Sequence, residues 1–162
     1  TCALPISYNG ASAELRISVD TNVLNYELEY FPGSCDLPGW VGVHTWFPRY
    51  IGDGVGKAEV IFDAEKMLKV DQTLMPDGDF IAPLTPQPWD DVFYKPKGTP
   101  TTLWKGGAKL EVTSPTPWWV VYTLDSEGVC IEPQTAPPNA QNLGYDLSKS
   151  NLLQAKFTFS KA

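Results

Sequence analysis

Apolar and polar side chains alternate along much of this chain with a period of two. Leu15, Ile17 and Val19 alternate with Glu14, Arg16 and Ser18, and Leu24, Tyr26, Leu28 and Tyr30 alternate with Asn25, Glu27 and Glu29. Successive side chains of a strand point to opposite faces, so this pattern predicts strands buried on one face. Asp20-Thr21-Asn22 between the two runs predicts a hairpin turn, since Asp and Asn tolerate turn conformations and bond back to their own backbone. The alternation recurs from Lys57 to Asp63, from Lys109 to Thr113, and at the end, where Leu153, Ala155, Phe157 and Phe159 interleave with Gln154, Lys156 and Thr158. No run carries a comparable helical period. The 15 prolines and 13 glycines, many of them between Pro76 and Pro100, punctuate loops and disfavour long helices. The expected fold class is all-β, an antiparallel β-sandwich.

Composition narrows the partners. A chain of 162 residues with 43% hydrophobic side chains can bury a real core as one domain and is a poor candidate for disorder. A formal net charge of -7 argues against nucleic acid, whose phosphates require a basic face. No apolar run approaches the roughly 20 residues that span a bilayer, and no charged-then-apolar signal segment opens the chain. No membrane partner is expected, and the cytoplasm is the default compartment. Cys2, Cys35 and Cys130 lack CxxC spacing and a histidine at metal-ligand spacing, so the sequence predicts no metal site and treats them as buried or incidental thiols. Gly52-Asp53-Gly54-Val55-Gly56-Lys57 looks superficially like a phosphate-binding loop. Ile51 and Ala58 break that motif and no helix pattern comes after it, so it reads as an ordinary loop.

The most chemically pointed stretch is Val129 to Asn142, VCIEPQTAPPNAQN. Val129-Cys130-Ile131 reads as a short buried strand, and Pro133, Pro137 and Pro138 stiffen the loop beyond it. Glu132 is thereby expected at a strand end, with the amides of Gln134, Asn139, Gln141 and Asn142 nearby. A fixed carboxylate among amides suits a polyhydroxylated ligand.

Several segments, in order and well spaced, resemble the aldose 1-epimerase (galactose mutarotase-like) family. Val41-Gly42-Val43-His44-Thr45-Trp46-Phe47 is similar to that family's strand ending in a histidine followed by aromatics. Val70-Asp71-Gln72-Thr73-Leu74-Met75-Pro76-Asp77-Gly78 resembles its Val-Asp and Leu-x-Pro-x-Gly turn, Trp89-Asp90-Asp91-Val92-Phe93 its sugar-binding aspartate segment, and EPQTAPPNAQN its catalytic glutamate segment. The resemblance runs from about Ala13 to Phe159.

The resemblance implies the C-terminal portion of a galactose mutarotase-like super-sandwich. It implies an enzyme that interconverts the α and β anomers of an aldose by acid–base ring opening, with Glu132 as base and His44 as acid. Asp90, three residues before Phe93, and more weakly Gln134 are the implied sugar contacts. Asp90 and Asp91 should not both serve, because neighbours on a strand face opposite ways. No cofactor, metal or nucleotide is called for, and the partner is a small-molecule aldose. Members of the family are about twice as long, near the roughly 250–300-residue ceiling for one domain, and their Asn-Arg pair and further sugar-contacting histidine have no counterpart here. Thr1-Cys2-Ala3-Leu4-Pro5-Ile6 resembles the translation of a common sequencing-library adapter. Residues 1–6 are therefore expected to be non-native and 7–162 to be the C-terminal part of one epimerase-like domain, a fragment whose own activity is in question.

Two other readings compete. A non-catalytic carbohydrate-binding β-sandwich would use the same polar residues without proton transfer. A glycosidase would pair two carboxylates, with Asp90 and Glu132 as candidates, but that leaves the motif around His44 unexplained. Among the aromatics, Trp46, Phe47 and Trp89 flank the polar candidates and could face a sugar ring, whereas Trp118, Trp119 and Tyr122 are assigned to the core.

Overall fold

Two antiparallel sheets pack face to face in the computed structural model, which describes residues 2–8, 10–35, 38–124 and 126–162, with backbone alone at 2–4, 8 and 35. The strands are β1 (Cys2–Tyr8), β2 (Ala11–Asp20), β3 (Val23–Phe31), β4 (Trp46–Pro48), β5 (Glu59–Ile61), β6 (Ala64–Val70), β7 (Pro76–Ile81), β8 (Asp90–Pro96), β9 (Thr101–Trp104), β10 (Ala108–Thr113), β11 (Trp118–Tyr122), β12 (Gly128–Gln134) and β13 (Leu152–Lys161). The first sheet runs β1-β2-β3-β13-β10-β9-β5 and the second β4-β12-β11-β8-β6-β7. Among the described residues there is no α-helix, and no helix is long and apolar enough to cross a membrane.

The period-two runs form the strands they predict, with two adjustments. Asp20 pairs with Val23 across a two-residue turn, and the turn is stitched to β13 where the Asn22 side-chain amide donates to the Phe159 carbonyl at 3.0 Å. The run from Lys57 to Asp63 contracts to β5, which pairs only with β9 at the sheet edge. The strand expected at Val129–Ile131 continues through Gln134 because Trp118 and Trp119 of β11 pair with Gln134 and Pro133. Glu132 therefore sits inside a strand, not at its end. Pro133 is tolerated because its carbonyl still accepts a bond from the Val43 amide at 3.3 Å while its ring faces inward.

Between the sheets, Leu110, Val112, Leu153, Ala155 and Phe157 meet Met67, Phe93, Trp119, Val121, Val129 and Ile131, all buried. Phe47 of β4 crosses to Phe157 of β13 with ring centroids 6.0 Å apart, and Tyr26 meets the same ring edge-on at 5.5 Å. Phe157 is fully buried, so truncating it to Ala would cost about 3–5 kcal/mol. The second sheet carries another apolar cluster on its outer face, where Leu68, Val92 and Trp118 are covered by Tyr94, Val120 and Tyr145. That outer face is where the polar candidates lie.

Candidate active site

Strand register builds the site. Gly42 bridges Gln134, and Trp46 pairs with Cys130. The segment between them runs antiparallel to β12 in one register, so His44 lies opposite Glu132. Thr45 holds the segment down by donating its hydroxyl to the Ile131 carbonyl at 3.2 Å. His44 Nδ1 is consequently 3.3 Å from Glu132 Oε1. The two differ sharply in exposure: the His44 side chain is 73% exposed and that of Glu132 only 6%.

Partners across an antiparallel sheet share a face, which sorts the neighbouring residues into rows. One row is Trp46, Cys130, Tyr122 and Asp90; the next places Val120 and Val92 beside Glu132; the third is Gln134, Trp118 and Tyr94. All present to the outer face. Val129, Ile131 and Pro133 alternate to the inner one, as does Asp91, which pairs with Val121. Asp90 thus shares the face of Glu132 and Asp91 does not. Gln134 lies over Gly42, where a side chain would come within 2.8 Å of the Gln134 Cγ; only glycine allows this close approach.

Burial pushes the Glu132 carboxyl above its ordinary range, and the charge of Asp90 adds to the effect. The nearby His44 and the Cys130 thiol, hydrogen-bonded to the carboxylate, act the other way and only partly offset it. Burial likewise pushes the Cys130 thiol up to about 12, followed by the charge of Glu132 and its hydrogen bond. The result is a carboxylate held in an apolar sheet at the edge of solvent, in contact with an exposed imidazole. Such a carboxylate binds a proton more tightly than an exposed glutamate does, which is the property a general base uses.

Aromatics divide differently from the sequence expectation. Trp46 is on the site face, 48% exposed, with its ring 5.5 Å from that of Tyr122. Trp89 and Phe47 instead belong to the core between the sheets: Trp89 packs on Phe93 at 5.2 Å and donates its indole N–H to the Thr85 carbonyl at 2.8 Å. Trp118, assigned to the core, is buried on the outer face against Tyr94 and Tyr145, and Tyr122 joins Trp46 there; Trp119 alone lies in the inner core as expected. Cys130 is the site neighbour that the sequence reading misses. Its signal is the Cys-x-Glu spacing, which places both side chains on one face once β12 is extended past Ile131. The side chains of Cys2 and Cys35 lie outside those described.

No protein-family model matches the sequence, and none of the curated proteins does. Solved structures do match in fold. A galactose mutarotase-like protein from Clostridium acetobutylicum superposes with a TM-score of 0.78 at 16% identity, covering 99% of this chain and 62% of that one. A candidate aldose 1-epimerase from Escherichia coli K12 matches with a TM-score of 0.75 at 12% identity, covering 99% and 69%. A protein of Synechocystis sp. PCC 6803 matches with a TM-score of 0.61 at 18% identity, covering 94% and 55%. The chain thus spans roughly two thirds or less of the length of the structures it resembles. With near-complete coverage of its own length, the chain shares the two-sheet antiparallel fold of these structures.

Proposed function

We infer that His44 and Glu132 open and reclose the ring of a cyclic aldose, interconverting its α and β anomers. The observation that carries this reading is the 3.3 Å contact between an exposed imidazole and a buried carboxylate on one face of a rigid sheet. Anomer exchange requires removal of the proton on the C1 hydroxyl and delivery of one to the ring oxygen. Glu132 takes the first proton. His44, whose Nδ1 is turned to Glu132, delivers the second from Nε2. The C1–ring-oxygen bond breaks to give the open aldehyde, the C1–C2 bond rotates, and reclosure exchanges the roles of acid and base. Asp90, on the same face, accepts hydrogen bonds from ring hydroxyls, Gln134 adds an amide, and Trp46 offers an apolar wall to the C–H face of the sugar. Neither a nucleotide nor a covalent adduct takes part in these steps.

Polarimetry of freshly dissolved α-glucose or α-galactose tests this reading. The assay is run on these 162 residues and on the protein carrying any in-frame sequence upstream of Ser7. Glu132→Gln and His44→Asn should each slow the approach to anomeric equilibrium on the order of 10²-fold or more. A folded Glu132→Gln protein with the wild-type rate would sink the assignment.

The high exposure of His44 favours a second reading, a non-catalytic carbohydrate-binding sandwich, because an open face sequesters the reacting atoms poorly. Calorimetric sugar binding without any acceleration of mutarotation would select it.

A further inference from the structure

We propose that His44 Nδ1, Cys130 Sγ and a carboxylate oxygen of Glu132 form a site for one thiophilic divalent cation of the zinc class, and that its occupancy blocks the acid–base pair. The regulatory half of this proposal rests on the function inferred above; the binding half does not.

The three donor atoms lie within 4.8 Å of one another. Zinc takes imidazole nitrogen and carboxylate oxygen at about 2.0–2.2 Å and thiolate sulfur at about 2.3 Å. Tetrahedral bonds of those lengths put neighbouring ligands roughly 3.3–3.7 Å apart, and the His44–Glu132 separation of 3.3 Å already meets that spacing. The sheet supplies the pre-organisation. Cys130 and Glu132 are two positions apart on β12 with side chains to the same face, between β11 and the 41–48 segment, and His44 is fixed opposite Glu132 by pairs on either side.

Donor chemistry selects the metal. A sulfur, a nitrogen and a single carboxylate suit zinc or cadmium, whereas magnesium and calcium require oxygen sets. Cys130 and Glu132 are buried and His44 is exposed, so a cation enters from the His44 side and keeps its remaining position for water. Binding releases the Cys130 thiol proton to solvent, forms metal–sulfur, metal–nitrogen and metal–oxygen bonds, and involves no redox change. The bound cation then occupies the Glu132 oxygen that must accept the C1 proton and sits on the face where the aldose would lie, so metal and sugar compete.

The test uses the full chain stripped with a chelator. Zinc binding is measured by competition with a chromogenic chelator, and cobalt(II) is used as a spectroscopic probe. Expected results are one cation per chain, a sulfur-to-cobalt charge-transfer band in the near ultraviolet, and tetrahedral ligand-field absorption. Cys130→Ser should abolish the charge-transfer band, and His44→Asn should weaken zinc by more than the roughly 10–100-fold that loss of an outer-shell partner costs. Far-ultraviolet circular dichroism checks each variant, and Cys130→Ala replaces Cys130→Ser if the latter does not fold. Asp77→Asn, on distant β7, should leave binding unchanged. Absence of stoichiometric binding, or binding indifferent to both Cys130 and His44, overturns the site. If zinc binds as described and the chain does not mutarotate any sugar, the metal site stands and the epimerase reading falls. If mutarotation occurs and saturating zinc does not inhibit it, the blocking role is wrong.

Discussion

The Cys130 thiol and the Glu132 carboxylate stand two positions apart on one face of β12, with Sγ and a carboxylate oxygen within 4.8 Å of each other. Both side chains are buried, so Glu132 draws its compensation from a weak S–H donor and an exposed imidazole while burial penalises its charge. The folded-state pKa of Glu132 therefore lies above its unfolded value. Its contribution to stability is fully present below the ordinary glutamate range and is lost as pH rises through the raised value. Glu132→Gln removes that penalty. The variant should melt higher than wild type at neutral pH by about 2–4 °C, and the difference should close in acid, below the ordinary glutamate range. Thermal melts across pH check this, and a variant less stable at neutral pH would mean that the His44 contact outweighs burial.

Asp90 and Asp91 are separated by strand alternation. Asp90 shares the outer row with Cys130, whereas Asp91 pairs with Val121 on the inner side, where burial pushes its carboxyl upward. By the same sign argument, Asp91 costs stability as pH rises through its raised pKa. Asp91→Asn should raise the melting temperature at neutral pH and leave sugar affinity unchanged. Asp90→Asn should instead weaken sugar binding about 10-fold, the loss of one charged hydrogen bond. Calorimetric titration of both variants distinguishes them, and equal effects on affinity would refute the face assignment.

The sheets are legible in the sequence because their strands are half-buried: Leu110 and Val112, or Leu153, Ala155 and Phe157, alternate with polar residues and cannot sit otherwise. The run around Glu132 is harder to delimit. Every residue from Gly128 to Pro133 is buried, since the inner face packs on the other sheet and the outer face is covered too, so the alternation that would mark the strand end disappears. Phe47 and Trp89 depart from expectation for a related reason. Proximity in sequence to His44 and Asp90 says nothing about face, and both fall one position off the site-facing parity of their segments. The facing of His44 and Glu132 across β12 depends on long-range pairing, which no local pattern encodes.

Trp46 is set by a glycine. A Cβ at Gly128 would run into the Trp46 indole, which lies across that backbone, so only glycine lets the ring rest on β12 beside Tyr122. Gly128→Ala should swing the indole outward and reproduce Trp46→Ala, each weakening sugar affinity about 10-fold, within the range for loss of an aromatic face. Tryptophan fluorescence should report the movement in Gly128→Ala. A sugar dissociation constant unchanged in both variants would remove Trp46 from the site.

Residues 1–6 provide the last expectation. The structure places residues 2–8 in β1, which pairs only with β2 at the edge of the first sheet, while His44 and Glu132 belong to the second. Its described side chains Pro5, Ile6 and Ser7 are exposed. An edge strand can be removed without breaking ladder bonds between other strands; its loss leaves β2 as the new edge. Deleting residues 1–6 should therefore shift the melting temperature by less than about 4 °C and leave both zinc affinity and any sugar affinity unchanged. A deletion that unfolds the chain would show the segment to be an integral strand.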